Sequence, residues 1–375
     1  MPEAPEVTGQ RVPGDDIGRW HARIAPELRA AFEQVLAGPR FTMGQNLHSF
    51  ETSFARYCGA YGCVGISSGT AALHLALLAL GVGPGDEVIT VPNSYIATAF
   101  AITYTGALPV FVDVDPVTWN MDPAMIGPAL TERTKVILPV HIYGQCADVD
   151  AIRAAAPGIP LLEDAAHAHG ATLCGRRAGA LGDLAAFSFY PSKVLGALGD
   201  GGAITVSSAS LEERVRQLRY MGQQVKFDHA ILGYQERLDE LQAAFLQVKL
   251  KYLEEQVEGR RRVAARYSEL LAGTPLTLPA ADATGRHAYY MYTVLAPDRD
   301  ELAAHLTRRG IGNMVIYPRL IPGYGAYAEL PLRAGPLPVA ETLPGRLLSL
   351  PMFAELTEAE LDRVGGAVRE FYGTP

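Results

Sequence analysis

A chain of 375 residues with 49% hydrophobic residues has enough apolar material for a large core, and its net charge of -8, with no Lys/Arg run, excludes nucleic acid as a partner. No apolar run reaches membrane-spanning length, and residues 1–16, with Pro2, Pro5 and Pro13, lack the basic-then-apolar pattern of an export signal. Four scattered cysteines (Cys58, Cys63, Cys146, Cys174) form no C-x-x-C pair. They read as reduced thiols of a cytoplasmic protein, and neither a disulfide framework nor a metal site is expected.

Residues 1–20 read as a loose polar leader, 21–250 as a large domain and 251–375 as a small C-terminal domain. A helix is expected over 24–36, a loop over 38–44, and a second helix over 47–57 with Leu47, Phe50 and Phe54 on one face. Strand and helix then alternate. Strands are expected over 63–66, 88–91, 108–112, 136–140 and 159–162, the last running into Glu163-Asp164. Helices are expected over 71–80, 95–104 and 149–155. Residues 184–206 read as strand, loop, strand. This rhythm predicts an α/β fold with a mostly parallel sheet between helices, whose ligands gather at the carboxyl ends of the strands. Further on, 211–221 reads as a helix, 223–233 as an irregular polar loop and 238–271 as one long amphipathic helix. The small domain reads as α+β, with strands over 290–295 and near Val315 and helices over 299–309 and 358–371.

Three places carry chemistry, each at a strand's carboxyl end. Ser68-Gly69-Thr70 precedes a helix, where free N–H groups and the positive dipole end bind anions; ordinary capping by Ser68 or Thr70 is the plainer reading. Asp164, in Glu163-Asp164-Ala165-Ala166-His167, is a carboxylate placed in low dielectric and in need of a positive partner. A cofactor's pyridinium nitrogen is one such partner and a buried ion pair is another. Lys193 lies in the loop between two strands, after Ser188 and before Gly199-Asp200-Gly201-Gly202. It is either a solvated loop lysine or, partly desolvated, an amine nucleophilic enough for a Schiff base.

With Ser67-Ser68-Gly69-Thr70-Ala71-Ala72-Leu73, Gly85-Asp86-Glu87-Val88, Phe187-Ser188-Phe189, Arg237-Leu238-Asp239-Glu240-Leu241-Gln242 and Leu348-Ser349-Leu350-Pro351 added in order, the chain resembles the nucleotide-sugar aminotransferases of the DegT/DnrJ/StrS type, from about residue 31 to the C-terminus. The resemblance implies the pyridoxal phosphate (PLP)-dependent transferase fold of type I and a homodimer with shared active sites. It implies Lys193 as the cofactor's Schiff-base lysine and Asp164 as the partner of the pyridine nitrogen. Ser68, Gly69, Thr70 and Ser188 would hold the phosphate, Tyr95 would cover a ring face, and His167 would reach the ring hydroxyl where relatives often carry Gln. Two stretches depart from the pattern. Gln235 replaces the Asn of Gly-x-Asn-x-Arg, which reaches the neighbouring subunit's phosphate. Ile316-Tyr317-Pro318-Arg319-Leu320-Ile321-Pro322 lacks two histidines usual near the substrate pocket, which makes Tyr317 a candidate substrate contact.

The implied reaction is a ping-pong transamination. L-glutamate donates the amine, the cofactor alternates between PLP and pyridoxamine phosphate, and a keto sugar, a dTDP-linked keto-6-deoxyhexose, accepts it. A keto-cyclitol is the rival acceptor. Arg219, Arg237 and Arg319 are candidates for clamping the donor's carboxylate. A dehydratase of this fold and a regulatory protein without turnover are the rival classes; Lys193 weighs against the dehydratases that carry histidine in its place, and retention of both Lys193 and Asp164 weighs against the regulatory reading. A dinucleotide-binding oxidoreductase would need a Gly-x-Gly-x-x-Gly after an early strand, which the sequence lacks.

Overall fold

Uniformly apolar runs of four or five residues suit strands covered on both faces, and such runs form the centre of the fold. The computed structural model describes residues 11–280 and 284–374. Two helices lead in, α1 (Ile17–Leu36) and α2 (Gln45–Cys58). Then come β1 (Gly62–Ile66), α3 (Gly69–Ala79), β2 (Glu87–Thr90), α4 (Ala97–Tyr104), β3 (Leu108–Phe111), β4 (Thr134–Ile137), α5 (Val149–Ala155), β5 (Leu162–Asp164), β6 (Leu184–Ser188), β7 (Gly202–Val206) and α6 (Ala209–Arg219). Strands β3, β2 and β4 lie side by side and parallel, and parallel bridges from Ile137 to Leu161 and from Val140 to Asp164 join β4 to β5. Beyond β5 come parallel β6, then β7 and β1, with β7 antiparallel to both of its neighbours. The mostly parallel sheet is therefore as expected.

Register does the positioning. Gly202 lies opposite both Ile66 and Ser188, and Asp164 lies opposite Ala186. The loops after β1, β5 and β6 thus leave the sheet at one edge.

The main elements of the later chain are α7 (Glu240–Leu250), α8 (Leu253–Leu270), β8 (Tyr292–Leu295), α9 (Arg299–Arg308), β9 (Arg333–Ala334), β10 (Leu347–Leu350) and α10 (Glu358–Tyr372). Antiparallel β8 and β10, with α8, α9 and α10, enclose a second core around Tyr267, Tyr292, Leu302, Leu348 and Val364. Between them the chain returns to the large sheet, where β9 pairs in parallel with β3 and Ile321 and Tyr327 pack on Ala99 and Phe111.

Several expected elements differ. The helix expected from residue 24 begins at Ile17, capped by Asp16, and Trp20, Ile24, Leu28, Ala31 and Val35 bury one face against Ala244, Phe245 and Val248. The long helix over 238–271 is two helices, broken at Lys251-Tyr252; α7 packs against α1 and the large core, whereas α8 starts in the large core with Leu253 and Val257 and passes into the second core with Val263, Ala264 and Tyr267. The loop over 223–233 contains a hairpin of Gln223–Val225 with Asp228–His229, whose bulge hides the alternation that marks a strand. Near Val315 there is no strand, only a bridge from Met314 to Ser349. Of the leader, residues 1–10 lie outside the described residues; residues 11–20 are built into the fold, with Val12 buried in the second core and bridged to Ile311. No disulfide links the cysteines, and no helix among the described residues is long and apolar enough to cross a membrane.

Candidate active site

Glu163 and Asp164 are neighbouring buried carboxylates with opposite fates. Glu163 accepts from the N–H groups of Gly179, Leu181 and Gly182 at 2.8–2.9 Å and pairs with His141 Nε2 at 2.9 Å. Four donors saturate it, and it holds the end of β5 in place. Asp164 accepts from Thr98 Oγ1 at 2.8 Å and from Ala166 N–H at 3.2 Å, and Thr98 is in turn bonded to Ser94 Oγ at 2.8 Å. Burial raises its carboxyl above the ordinary range despite these donors and the nearby Lys193. Its remaining face opens on a cavity, so Asp164 is a carboxylate still short of a cation.

That cavity, of about 710 Å³, lies at the edge to which the register brings the loops. Lys193 lines it. The Lys193 Nζ stands 4.2 Å from the centre of the Tyr290 ring, and burial pulls its pKa below 10.5 although Tyr290 and Asp164 oppose the shift. A depressed ammonium pKa is what a nucleophilic lysine requires. Its loop is tightly curled, since a Cβ on Gly196 would lie 2.3 Å from the Pro191 carbonyl oxygen. Buried Lys249 on α7 secures the curl by donating to the Gly196 carbonyl at 2.5 Å, with its Nζ 4.8 Å from the Trp20 ring centre.

Helix α3 points its N-terminus into the cavity. Ser68 does cap it, accepting from Ala71 N–H at 3.1 Å, so capping and anion binding coexist here. The N–H groups of Gly69 and Thr70 have no intrahelical acceptor, and the first turn carries no acidic side chain. Gly69 is needed for the close approach of β6: a Cβ there would lie 2.6 Å from Ser188 Cβ. The free N–H groups and Ser188 form one concave donor surface.

The walls are aromatic. Tyr95, Tyr190, Tyr290 and Tyr317 all line the space, the Tyr95 and Tyr317 rings being 6.0 Å apart. His167 accepts from Tyr143 N–H through Nδ1 at 3.3 Å, and burial lowers its pKa well below 6.5, so the neutral ring carries its proton on Nε2. One cavity thus gathers Ser68, Gly69, Thr70, Tyr95, Asp164, His167, Ser188, Lys193 and Tyr317. Gln235 stands apart, exposed and bridged to Tyr220.

The candidate arginines do not line the cavity. Arg219 is buried against Glu51 at 2.6 Å and the Gly65 carbonyl, Arg237 lies over the Tyr220 ring, and Arg319 reaches only the Gly323 carbonyl at 3.5 Å. Thr98, Tyr290 and His141 were missed. Thr98 and Tyr290 meet their partners only through tertiary contacts, and only Thr98 lay in a stretch with a legible signal, one turn beyond Tyr95.

The profile of the DegT/DnrJ/EryC1/StrS aminotransferase family matches residues 22–369. The chain is 43% identical over 364 residues to the dTDP-3-amino-3,4,6-trideoxy-alpha-D-glucose transaminase of Streptomyces venezuelae, covering 96% of each. It is 44% identical over 366 residues to a protein of Geobacillus stearothermophilus named pleiotropic regulatory protein, covering 96% of this chain and 98% of that one. Among solved structures it is similar to NtdA from Bacillus subtilis with bound cofactor PMP, with a TM-score of 0.90 at 30% identity over 99% of this chain and 87% of the other.

Proposed function

The chain belongs to the DegT/DnrJ/EryC1/StrS aminotransferase family, and from that premise we propose that it transfers an amino group from L-glutamate to a keto sugar, a dTDP-linked keto-6-deoxyhexose, with PLP held at Lys193. The observation that carries the reading is one cavity faced by a desolvated lysine, a buried carboxylate short of a cation, and a helix N-terminus free of acids. This donor set fits PLP part for part: an aldehyde for Lys193, a protonatable ring nitrogen for Asp164, and a phosphate for Gly69, Thr70 and Ser188.

When bound, PLP supplies an electron-accepting ring that makes a donor's α C–H acidic. The protein does the rest. Asp164, oriented by Thr98, keeps a proton on the ring nitrogen. Lys193 Nζ, once free, takes the proton from the donor's α-carbon as base and returns it as acid. Its lowered pKa suits it to both roles. Tyr95 would cover one face of the ring, and His167 Nε2–H would donate to the ring hydroxyl. Tyr317 borders the space left for substrate.

A homodimer completes this reading, with Gln235 serving the partner subunit's phosphate. The exposed side chains of Phe227 (81%) and Leu232 (83%), in and beside the hairpin before Gln235, suit burial against a second copy.

The test loads the protein with pyridoxamine phosphate and offers keto sugars and keto-cyclitols. An amino sugar, with return of the cofactor's visible absorbance, is expected from the dTDP-linked keto-6-deoxyhexose. Production from a cyclitol alone would reassign the acceptor. The name of the G. stearothermophilus relative favours a regulatory reading, for which the panel would show sugar binding without amine transfer.

A further inference from the structure

We propose that Asp15 is a recognition residue for the acceptor: its carboxylate takes hydrogen bonds from the hydroxyl groups of the sugar and by charge turns away the carboxylates of the donor. This rests on the sugar-aminotransferase reading and narrows it to acceptors that present hydroxyl groups, and no acid, to this wall.

Asp15 is held from both sides. Before it, Val12 N–H donates to the Gly310 carbonyl at 3.0 Å, Gly312 N–H donates to the Val12 carbonyl at 2.8 Å, and Met352 N–H donates to the Gly14 carbonyl at 3.1 Å. The two segments pass so closely that a Cβ on Gly312 would lie 2.3 Å from Gly14 N. After it, Asp16 caps α1 through Arg19 N–H at 3.2 Å. Between these anchors Asp15 joins the cavity wall, with Gly14, Asn313 and Met314.

Its carboxylate keeps hydrogen-bonding capacity. Asp15 is exposed, and the surface it exposes borders the cavity, while the protein packed behind it raises its pKa above 3.8 against the pull of Arg260 and the Asp16 N–H. Arg260 does not consume it: that guanidinium donates through one nitrogen to the carbonyls of Tyr289, Tyr290 and Met352 at 3.4, 3.1 and 2.9 Å.

The charge balance of the cavity then assigns the ligand. Among the described residues that line it, Lys193 alone carries an ammonium or guanidinium, while Asp15, Asp164 and Asp200 are acids. Two substrates use the space in turn. The donor's carboxylates are repelled by a carboxylate at this wall, whereas the hydroxyl groups of a sugar ring are O–H donors that it accepts strongly. Asp15 therefore separates acceptor from donor within one cavity.

The test compares Asp15→Asn and Asp15→Leu with wild type as PLP-loaded holoenzymes, following cofactor absorbance in each half-reaction. L-glutamate drives the first, and the keto sugar active in the panel drives the second. Losing one charged hydrogen bond corresponds to a rise of about tenfold in the half-saturating sugar concentration for Asp15→Asn, and more for Asp15→Leu. The glutamate half-reaction is expected to stay within about twofold or to quicken, with an unchanged melting temperature. Equal change in both half-reactions, as for a residue that merely anchors the segment, or no change in either, overturns the proposal. A wild type that reacts with glutamate but aminates no keto sugar overturns the sugar-aminotransferase reading, and the proposal with it.

Discussion

Replacing Asp164 by asparagine separates what this residue does for catalysis from what it costs the fold. Asparagine keeps the shape: its one oxygen can accept from Ala166 N–H, now bonded to Asp164 at 3.2 Å, and its amide N–H can donate to Thr98 Oγ1, now 2.8 Å from the other Asp164 oxygen, with Thr98 turning to donate to Ser94; the charge opposite the ring nitrogen is removed. Losing one partner of a buried ion pair costs about 3–5 kcal/mol. Only the interaction realised during proton transfer counts toward rate, so turnover is expected to fall roughly 10²- to 10³-fold, at about 1.4 kcal/mol per decade. Stability of the apoprotein should move the other way. Burial raises the Asp164 pKa above 3.8, so between the ordinary and the raised values the native state holds a proton that the unfolded state has released. Wild-type apoprotein therefore loses stability as pH rises through that window, and Asp164→Asn does not. At pH 7 the variant apoprotein is expected to be more stable than wild type, and the gain should vanish towards pH 3.8. The assays are single-turnover reaction of the holoenzyme with L-glutamate and denaturant unfolding of the apoprotein across pH. Turnover within a few-fold of wild type would reduce Asp164 to a structural group. A destabilised variant apoprotein would refute the claim that its charge is short of a partner.

Because burial lowers the Lys193 pKa, the rate of PLP capture by the apoprotein should rise with pH and reach its plateau below 10.5, the value for a free lysine; stopped-flow absorbance reads it. Gly69→Ala places a methyl group 2.6 Å from Ser188 Cβ and is expected to weaken PLP affinity at least tenfold, measured by equilibrium dialysis, because β6 must shift away from the anion cradle. Lys249, with its pKa pushed down to about 7, gives up its proton on folding at pH values between about 7 and 10.5, so wild-type stability rises with pH across that window. Lys249→Met should flatten that slope in unfolding experiments, and an unchanged slope would mean that Lys249 keeps its proton.

What the sequence made legible was local in the chain. Asp164 ends a strand, Ser68-Gly69-Thr70 closely follows one and Lys193 lies in the loop after another, and strand ends can be read from short apolar runs. Their convergence needed only the parallel order of the sheet. What stayed hidden depends on distant contacts. Thr98 reaches Asp164 across 66 positions, and Tyr290 approaches Lys193 from the segment just before β8. The break between α7 and α8 at Lys251-Tyr252 falls inside one continuous amphipathic pattern, which periodicity alone cannot register. Proline and polar composition made residues 11–16 look loose, yet they are fixed by backbone bonds to Gly310, Gly312 and Met352, which composition does not reveal. The arginines misled for a related reason: charge is visible in a sequence, but the partner that consumes it, as Glu51 consumes Arg219, is not.

The central claim is that Lys193 carries the cofactor. Borohydride reduction of the PLP-loaded protein, followed by digestion and mass measurement of the peptides, tests it most directly. The chain has four other lysines, Lys135, Lys226, Lys249 and Lys251, and Lys249 is a demanding control because its pKa is also depressed, to about 7. The expected result is one modified peptide, bearing the reduced cofactor on Lys193, with no visible absorbance band in Lys193→Ala. Trapping on Lys249 or another lysine, or full transamination by Lys193→Ala, would contradict the account.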